Sequence, residues 1–266
     1  MPEQKGSLSP MLRIAAIDNL SARAYTLVRP QFEASFTGGT PTEVHRQLQS
    51  GQCDAALLSV ARLAEHAPHY EPLGSFGIAC RGKVQSVVLF AQDGVERLLD
   101  QALPIHVTQA SQTSLQLLYV LCRQTYRRAP VFAAHAPHAR ARLLIGDEAI
   151  STSRPEYAWP LHYDLCAWWF EQTQLPFVFA RWVVRRDLAA ERKAALLEWL
   201  EATVAVAESE SGQHRMTRRL MRQGLGKAQA AQYYQQVRGR LTLEDLLGLE
   251  LFLRRQREES ACRHIA

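Results

Sequence analysis

Residues 12–59 read LRIAAIDNLSARAYTLVRPQFEASFTGGTPTEVHRQLQSGQCDAALLS, and the punctuation of this stretch decides the fold class. LRIAAI at 12–17 is an apolar run of buried-strand length, and CDAALLS at 53–59 is a second. Between them, TPTEVHRQLQ at 40–49 spells a helix start: Thr40 as N-cap, Pro41 in the first helical position, Glu43 three residues after the cap, and Gly51 as the stop. Residues 22–28 read as a further short helix. Strand, helix and strand in that order predict a crossover unit, and so an α/β sheet.

The same reading carries outward. VQSVVLFA at 84–91 predicts a strand, PIHV at 104–107 a weaker one, and 112–124 a helix beginning at Ser111. ARLLI at 141–145 predicts a strand ending in Gly146 and Asp147, 163–172 an aromatic-rich helix, and LPFVFARWVV at 175–184 the last long strand. Beyond Asp187, read as a cap, the chain is expected to be all helix. Its final helix is capped by Thr242 and Asp245 and carries Leu243, Leu246, Leu247, Leu249 and Leu253 as mostly one apolar stripe. This order predicts two α/β lobes and a helical tail, with residues 11–90 and 182–266 in the first lobe, 91–181 in the second, and 1–10 as a disordered leader. Two chain crossings make a hinge, and a cleft between lobes is where small ligands preferentially sit.

Composition narrows the functions. The 266 residues suit one large domain or two modest lobes, and 47% apolar content excludes a disordered chain. No run approaches the roughly 18 uninterrupted apolar residues of a membrane span. MPEQKGSLSP has no apolar segment behind its lysine, so the protein reads as cytoplasmic. Five cysteines, without a CxxC pair, indicate reduced buried thiols and neither a disulfide framework nor a zinc site. The net charge of +5 rests almost wholly on arginine. The basic run at 214–240 is interleaved with Met216, Leu220, Met221 and Leu225 at helical spacing, which describes a half-buried helix and not a nucleic-acid surface. His-Ala-Pro-His occurs at 66–69 and 135–138, where Pro68 and Pro137 prevent a regular helical presentation; exposed loop histidines and no metal are expected. There is no glycine-rich phosphate loop, serine elbow or HExxH.

Hydroxyls hold most of the remaining chemistry. Ser111, Thr113 and Ser114 cluster at a helix start, where unpaired N–H groups and the helix dipole favour an anion; the alternative is a plain cap. Thr42, beside the cap Thr40, poses the same choice in the first lobe. Two such starts facing each other across a cleft would hold a dicarboxylate without any lysine. Gly146 and Asp147 follow a buried strand at its carboxyl end, where α/β proteins collect ligands, although Asp147 also reads as a cap. Ser86, within an apolar strand, needs a partner, either backbone or something in a cleft.

From residue 77 onward, GIACRGKVQSVVLF, SQTSLQLLYVLC, LLIGDEAI and DLCAWWFEQTQLPFVFARW follow in this order and spacing. Together with RIAAIDNLSAR, GGTPTEVHRQLQSGQCDAALLSV and GLELFLRR, they resemble the menaquinone-biosynthesis family that includes chorismate dehydratase, the first enzyme of the futalosine route. The resemblance spans about residues 12 to 255. It implies a two-lobed fold similar to type II periplasmic binding proteins, with a central ligand cleft and a helical C-terminal segment. It also implies a hydro-lyase that takes the C3 proton and the C4 hydroxyl from chorismate, a small dicarboxylate, leaving 3-[(1-carboxyvinyl)oxy]benzoate. Aromatisation drives the elimination, so no cofactor is implied; the substrate's enolpyruvyl carboxylate is a candidate base, and the source of the base stays open.

The family links catalysis to a serine in its GxVxSVxLF strand, matched by Ser86, and to an asparagine after the first strand. At that second position DNLSARA stands where the family has SYLNTRP, so Ser21 replaces the asparagine and Ala24 the proline. Asn19 comes two residues earlier, an offset of roughly 6–7 Å in extended chain. Ser21 and Ser86 are therefore the implied catalytic positions, and Thr42, Ser111, Thr113, Ser114, Gly146 and Asp147 the implied substrate-binding ones. Two other readings stay open: a non-catalytic binding or sensory relative that kept the cleft, and the sibling enzyme that makes dihydroxynaphthoate, whose motifs fit less well.

Overall fold

The computed structural model describes residues 11–107, 112–134, 138–152, 159–222 and 225–263. The expected leader at 1–10 lies outside them, as does Ser111. The first strands are β1 (Leu12–Ile17), β2 (Ala34–Gly39), β3 (Ala55–Ser59) and β4 (Tyr70–Cys80). They are followed by β5 (Val87–Ala91), β6 (Pro104–Val107), β7 (Val131–Ala133), β8 (Ala141–Ile145) and β9 (Leu161–Asp164), then β10 (Phe177–Arg185) and β11 (Val237–Arg240). Helices α1 (Pro41–Gln49), α2 (Leu63–His66), α3 (Val95–Asp100), α4 (Gln112–Tyr126), α5 (Gly146–Thr152) and α6 (Leu165–Thr173) lie among the strands. The tail carries α7 (Ala190–Glu208), α8 (Glu210–Arg222), α9 (Lys227–Gln236) and α10 (Leu243–Arg263).

The strands form two sheets, ordered β11-β4-β10-β3-β1-β2 and β7-β6-β8-β5-β9. β3 and β5 are buried at every position, as strands covered on both faces must be. β1 runs parallel to β2 and β3, whereas β10 runs antiparallel to β3 and β4. The chain therefore passes from the first sheet to the second between β4 and β5, and returns between β9 and β10. Sheet membership changes at 81–86 and 165–176, so β5 stands in the second sheet and β10 in the first, earlier in each case than the boundaries expected at 90/91 and 181/182. Gly77 allows β4 and β10 to meet closely, since a Cβ there would lie 2.3 Å from the Ala180 carbonyl oxygen.

Each sheet has its own core. Trp182 on β10 meets Tyr25 and Trp199 edge-on under the first sheet. Trp169, Phe177 and Phe252 meet edge-on between α6, β10 and α10 beneath the second. α1 has the expected start: the Glu43 N–H donates to Thr40 Oγ1 (3.3 Å) and the Thr40 N–H donates to Glu43 Oε2 (2.6 Å), while Val44 and Leu48 are buried. Residues 22–28 hold a shorter 3-10 turn, Ala22–Thr26. Among the described residues, no helix is long and apolar enough to cross a membrane.

Several expectations are corrected. β2 escapes the pattern because it is an edge strand with no buried residue that contains Gly38 and Gly39. β4 carries Pro72, Gly74 and Gly77, breakers that its long pairing with β10 overrides. β11 interrupts the expected all-helical tail by pairing with β4. Asp187 does not cap α7: Ala189 holds the N-cap position, and Asp187 takes the Arg185 guanidinium instead. On α10, Leu249 and Phe252 are buried, but Leu243 (74% exposed) and Leu247 (47%) fall on the outer side. The capping of this helix by Thr242 and Asp245 is present, with the Thr242 N–H 2.7 Å from Asp245 Oδ2.

Candidate functional site

The site forms where the chain crosses between sheets. Asp164, at the end of β9 and 8% exposed, organises the outward crossing. Its Oδ1 accepts the N–H groups of Cys166 and Ala167 (3.1 Å each), capping α6, while its Oδ2 accepts those of Val84 (3.0 Å) and Gln85 (2.6 Å). Burial pushes this carboxyl above its ordinary range against the pull of those four bonds. Gln85 is thereby held in the left-handed region at φ 65°, costly for a residue with a Cβ. The turn it makes aims the next residue, Ser86, inward. Ser86 thus sits just before β5 and not inside a strand, and it is 5% exposed. Its carbonyl accepts the Gly146 N–H (2.7 Å), and Gly146 itself has the positive φ of 58° that favours glycine at the start of α5.

Ser86 lines a cleft of about 90 Å³ that opens to solvent. The Ser86 hydroxyl donates to the Tyr233 hydroxyl (3.4 Å), which also pairs with Ser21 Oγ (2.7 Å). Ser21 comes from the loop after β1 and Tyr233 from α9, so three separate segments bring hydroxyls to one end of the cleft. On the other side Thr113, in the first turn of α4, pairs with Ser59 Oγ at the end of β3 and accepts the Ala61 N–H (3.3 Å), tying the second sheet's helix to the first sheet. Ser114, Asn19, Pro41 and Gly146 complete the polar and small part of the wall; Ile17, Ile78, Ile145 and Phe179 supply apolar surface. Among the described residues lining the cleft there is no carboxylate, imidazole, amine, guanidinium or thiol.

Of the residues singled out from sequence, the structure brings Ser21, Ser86, Thr113, Ser114 and Gly146 into this one cleft. Thr42 is exposed on α1 and is not among the lining residues, although its neighbour Pro41 is. Ser111 and the Asp147 side chain lie outside what is described. Asn19 faces the same cleft as Ser21, its Oδ1 accepting the Ala22 N–H at 2.8 Å. Sequence reasoning missed Ser59, Tyr233 and Asp164. The position of Ser59 at the carboxyl end of a buried strand was a usable signal; the KAQAAQYYQQ run around Tyr233 holds none.

Among the described residues no group of three or more histidine, cysteine or acidic side chains is placed to hold a metal. His66 is buried and not a loop histidine, because α2 folds it against α1, where its Nε2 meets His45 Nδ1 at 2.8 Å. Cys53, Cys80, Cys122 and Cys166 are buried, and burial pushes the Cys53 and Cys122 thiols up to about 11 and about 12, too high for a thiolate at neutral pH. In α8, Gly212, Met216 and Leu220 are buried with the arginines outside, whereas Met221, which the interleaving placed with them, is exposed because it falls on the outer side of the helix.

The same architecture recurs among solved structures. The protein AF1704 from Archaeoglobus fulgidus superposes with a TM-score of 0.72 at 17% identity, covering 94% of this chain and 98% of that one. The Candida albicans CA3427 gene product, described as having the generic periplasmic binding protein fold, gives 0.60 at 8% identity over 93% and 90%. The periplasmic aliphatic sulphonate binding protein SsuA from Escherichia coli gives 0.56 at 15% over 92% and 93%. Two lobes, two crossings and a cleft between them therefore define this chain as a protein of the periplasmic-binding-protein fold class. The menaquinone biosynthesis family model matches residues 12–258, and chorismate dehydratase of Thermus thermophilus is 32% identical over 80% of this chain and 83% of that protein. The chain belongs to the menaquinone biosynthesis family.

Proposed function

We propose that this protein is a chorismate dehydratase, a hydro-lyase that converts chorismate to 3-[(1-carboxyvinyl)oxy]benzoate on the futalosine route to menaquinone. The cleft lining carries this reading: several hydroxyls, with no carboxylate, imidazole or amine among the described residues. The described lining supplies no strong base, and chorismate brings two carboxylates of its own that can serve as one. The enolpyruvyl carboxylate is within its own molecule's reach of the C3 proton, and loss of the C4 hydroxyl then completes an aromatic ring.

The protein's part is to orient the substrate and to stabilise the departing hydroxyl. Thr113 and Ser114 at the start of α4, and Pro41 at the start of α1, put two helix N-termini at the cleft wall, where carboxylates are favoured without a cation. Ser86 and Ser21 stand together through Tyr233 at one end, the place for the leaving oxygen. The test is incubation of the protein with chorismate, following loss of the cyclohexadiene absorbance and identifying the product by chromatography. Formation of the benzoate supports the reading; none above the spontaneous background refutes it. The absence of a titratable base on the described wall also favours a second reading, a binding protein for a chorismate-like carboxylate, which predicts saturable binding of chorismate with no turnover.

A further inference from the structure

We infer that a second cavity, behind the cleft in the first lobe, is a binding site for a small hydroxylated amine: a ring compound with a hydroxyl group at one end and an ammonium group at the other. The inference concerns this cavity alone and does not rest on the dehydratase reading.

The cavity holds about 240 Å³ and is walled by residues of α7, α8, α9, β4 and β11. Ser21 and Ile78 line both it and the cleft, so the two stand back to back. It is the roomier of the pair, and an apolar cavity of about 150 Å³ already admits benzene. A single substituted ring therefore fits.

α7 sets the chemistry of one wall. Thr203 and Ala207 stand one turn apart on it, as do Val204 and Glu208, so one helix face runs along the cavity from its inner end to its mouth. Thr203, at the inner end, is 0% exposed, and its Oγ1 is buried without a hydrogen-bond partner. A threonine within a helix can turn its hydroxyl onto the carbonyl four residues back, and this one does not. An unpaired buried hydroxyl is unfavourable, and a ligand oxygen placed beside it would remove that penalty.

Glu208 lies at the mouth, exposed, and forms no salt bridge among the described residues. The cations near it are already held. Arg238, in the lining, donates to both carboxylate oxygens of Asp245 (2.9 and 2.5 Å), and Arg240, whose charge Glu208 feels, donates to both of Glu201 (2.9 and 2.6 Å). The mouth is therefore negative and the inner end neutral and polar, while Ile78, Val204, Ala207 and Met216 supply apolar surface between. From Thr203 to Glu208 the helix rises about 7.5 Å, a span that a ring with a two-carbon arm covers. A carboxylate at the mouth would be repelled by Glu208, which sets this cavity apart from the cleft.

The test uses tyramine as the probe and 3-(4-hydroxyphenyl)propionate, with a carboxylate in place of the ammonium, as the comparison, each titrated into the full chain and followed by ligand-observed NMR. Tyramine binds the wild type saturably with a Kd of about 1 mM or tighter, and the carboxylate binds about tenfold more weakly or less. Thr203→Val removes the hydroxyl and keeps the shape. It weakens tyramine about five- to tenfold, the weight of one hydrogen bond, without lowering the melting temperature, because no existing partner is lost. Glu208→Gln narrows the difference between the two probes, and Ser86→Ala, in the cleft, leaves tyramine affinity unchanged. Absence of saturable tyramine binding overturns the inference, and so does equal affinity for the two probes. Binding that Ser86→Ala abolishes and Thr203→Val leaves intact overturns it by placing the amine in the cleft. A lowered melting temperature in Thr203→Val overturns it by showing that the hydroxyl is already engaged. Failure to turn over chorismate would refute the dehydratase reading and leave this site standing.

Discussion

Replacing Asp164 by asparagine tests how the crossover positions the site. The carboxylate accepts four backbone N–H groups: Val84 and Gln85 on Oδ2, at 3.0 and 2.6 Å, and Cys166 and Ala167 on Oδ1, at 3.1 Å each. An asparagine keeps a single carbonyl oxygen. Whichever way the amide turns, two of the four donors face its NH2 group and lose their acceptor. A buried donor left unsatisfied costs roughly 1–3 kcal/mol, so Asp164→Asn destabilises by about 2–6 kcal/mol. Urea unfolding reads this as a lower midpoint at an unchanged slope. The functional loss follows from Gln85, whose φ of 65° is held by the 2.6 Å bond. Released, the turn no longer aims Ser86, and turnover drops more than ligand affinity does. A variant whose unfolding midpoint and turnover both match wild type would show that Asp164 does not hold this turn.

Thr113→Val removes the contact with Ser59 and the acceptor of the Ala61 N–H, both of which join α4 to the first sheet. It lowers stability by about 1–3 kcal/mol and weakens product binding in a titration. The His45–His66 contact predicts a pH dependence. Burial lowers both imidazoles, with the Arg62 charge adding to it and Glu65 opposing. A histidine depressed in the folded state stabilises fully above its unfolded value, near 6.5, and that stability is lost as pH falls through the lowered folded values. The melting temperature therefore drops on acidification below about pH 6.5, and His66→Phe flattens the drop; an equal slope in both proteins would contradict this.

Some of the fold was legible in the letters, and the reasons differ by element. α1 was readable because Thr40, Pro41 and Glu43 act within one turn, β3 because burial on both faces leaves an unbroken apolar run, and β1 because only Arg13 interrupts a largely buried one. β4 was hidden because its stability comes from β10, about a hundred residues away, and outweighs three breakers of its own. The site divides in the same way. Ser86, Thr113 and Ser114 stand in or beside elements with strong local patterns. Tyr233 and Asp164 act through contacts across 212 and 80 residues, to Ser21 and Val84, and no local spacing reports such a contact. Ser86 itself was found, but its setting was not: the strand begins one residue later, and the serine belongs to a turn that Asp164 holds.

In the proposed function, this hydroxyl-lined cleft eliminates water from chorismate with Ser86 at its working end. Product formation from chorismate by the wild-type protein and by Ser86→Ala, measured side by side by chromatography, tests it most directly. The wild type is expected to yield 3-[(1-carboxyvinyl)oxy]benzoate, and the variant to lose about 100-fold or more of that activity, the scale of a lost transition-state donor. A wild-type protein that binds chorismate without converting it, or a Ser86→Ala protein as active as wild type, would contradict it.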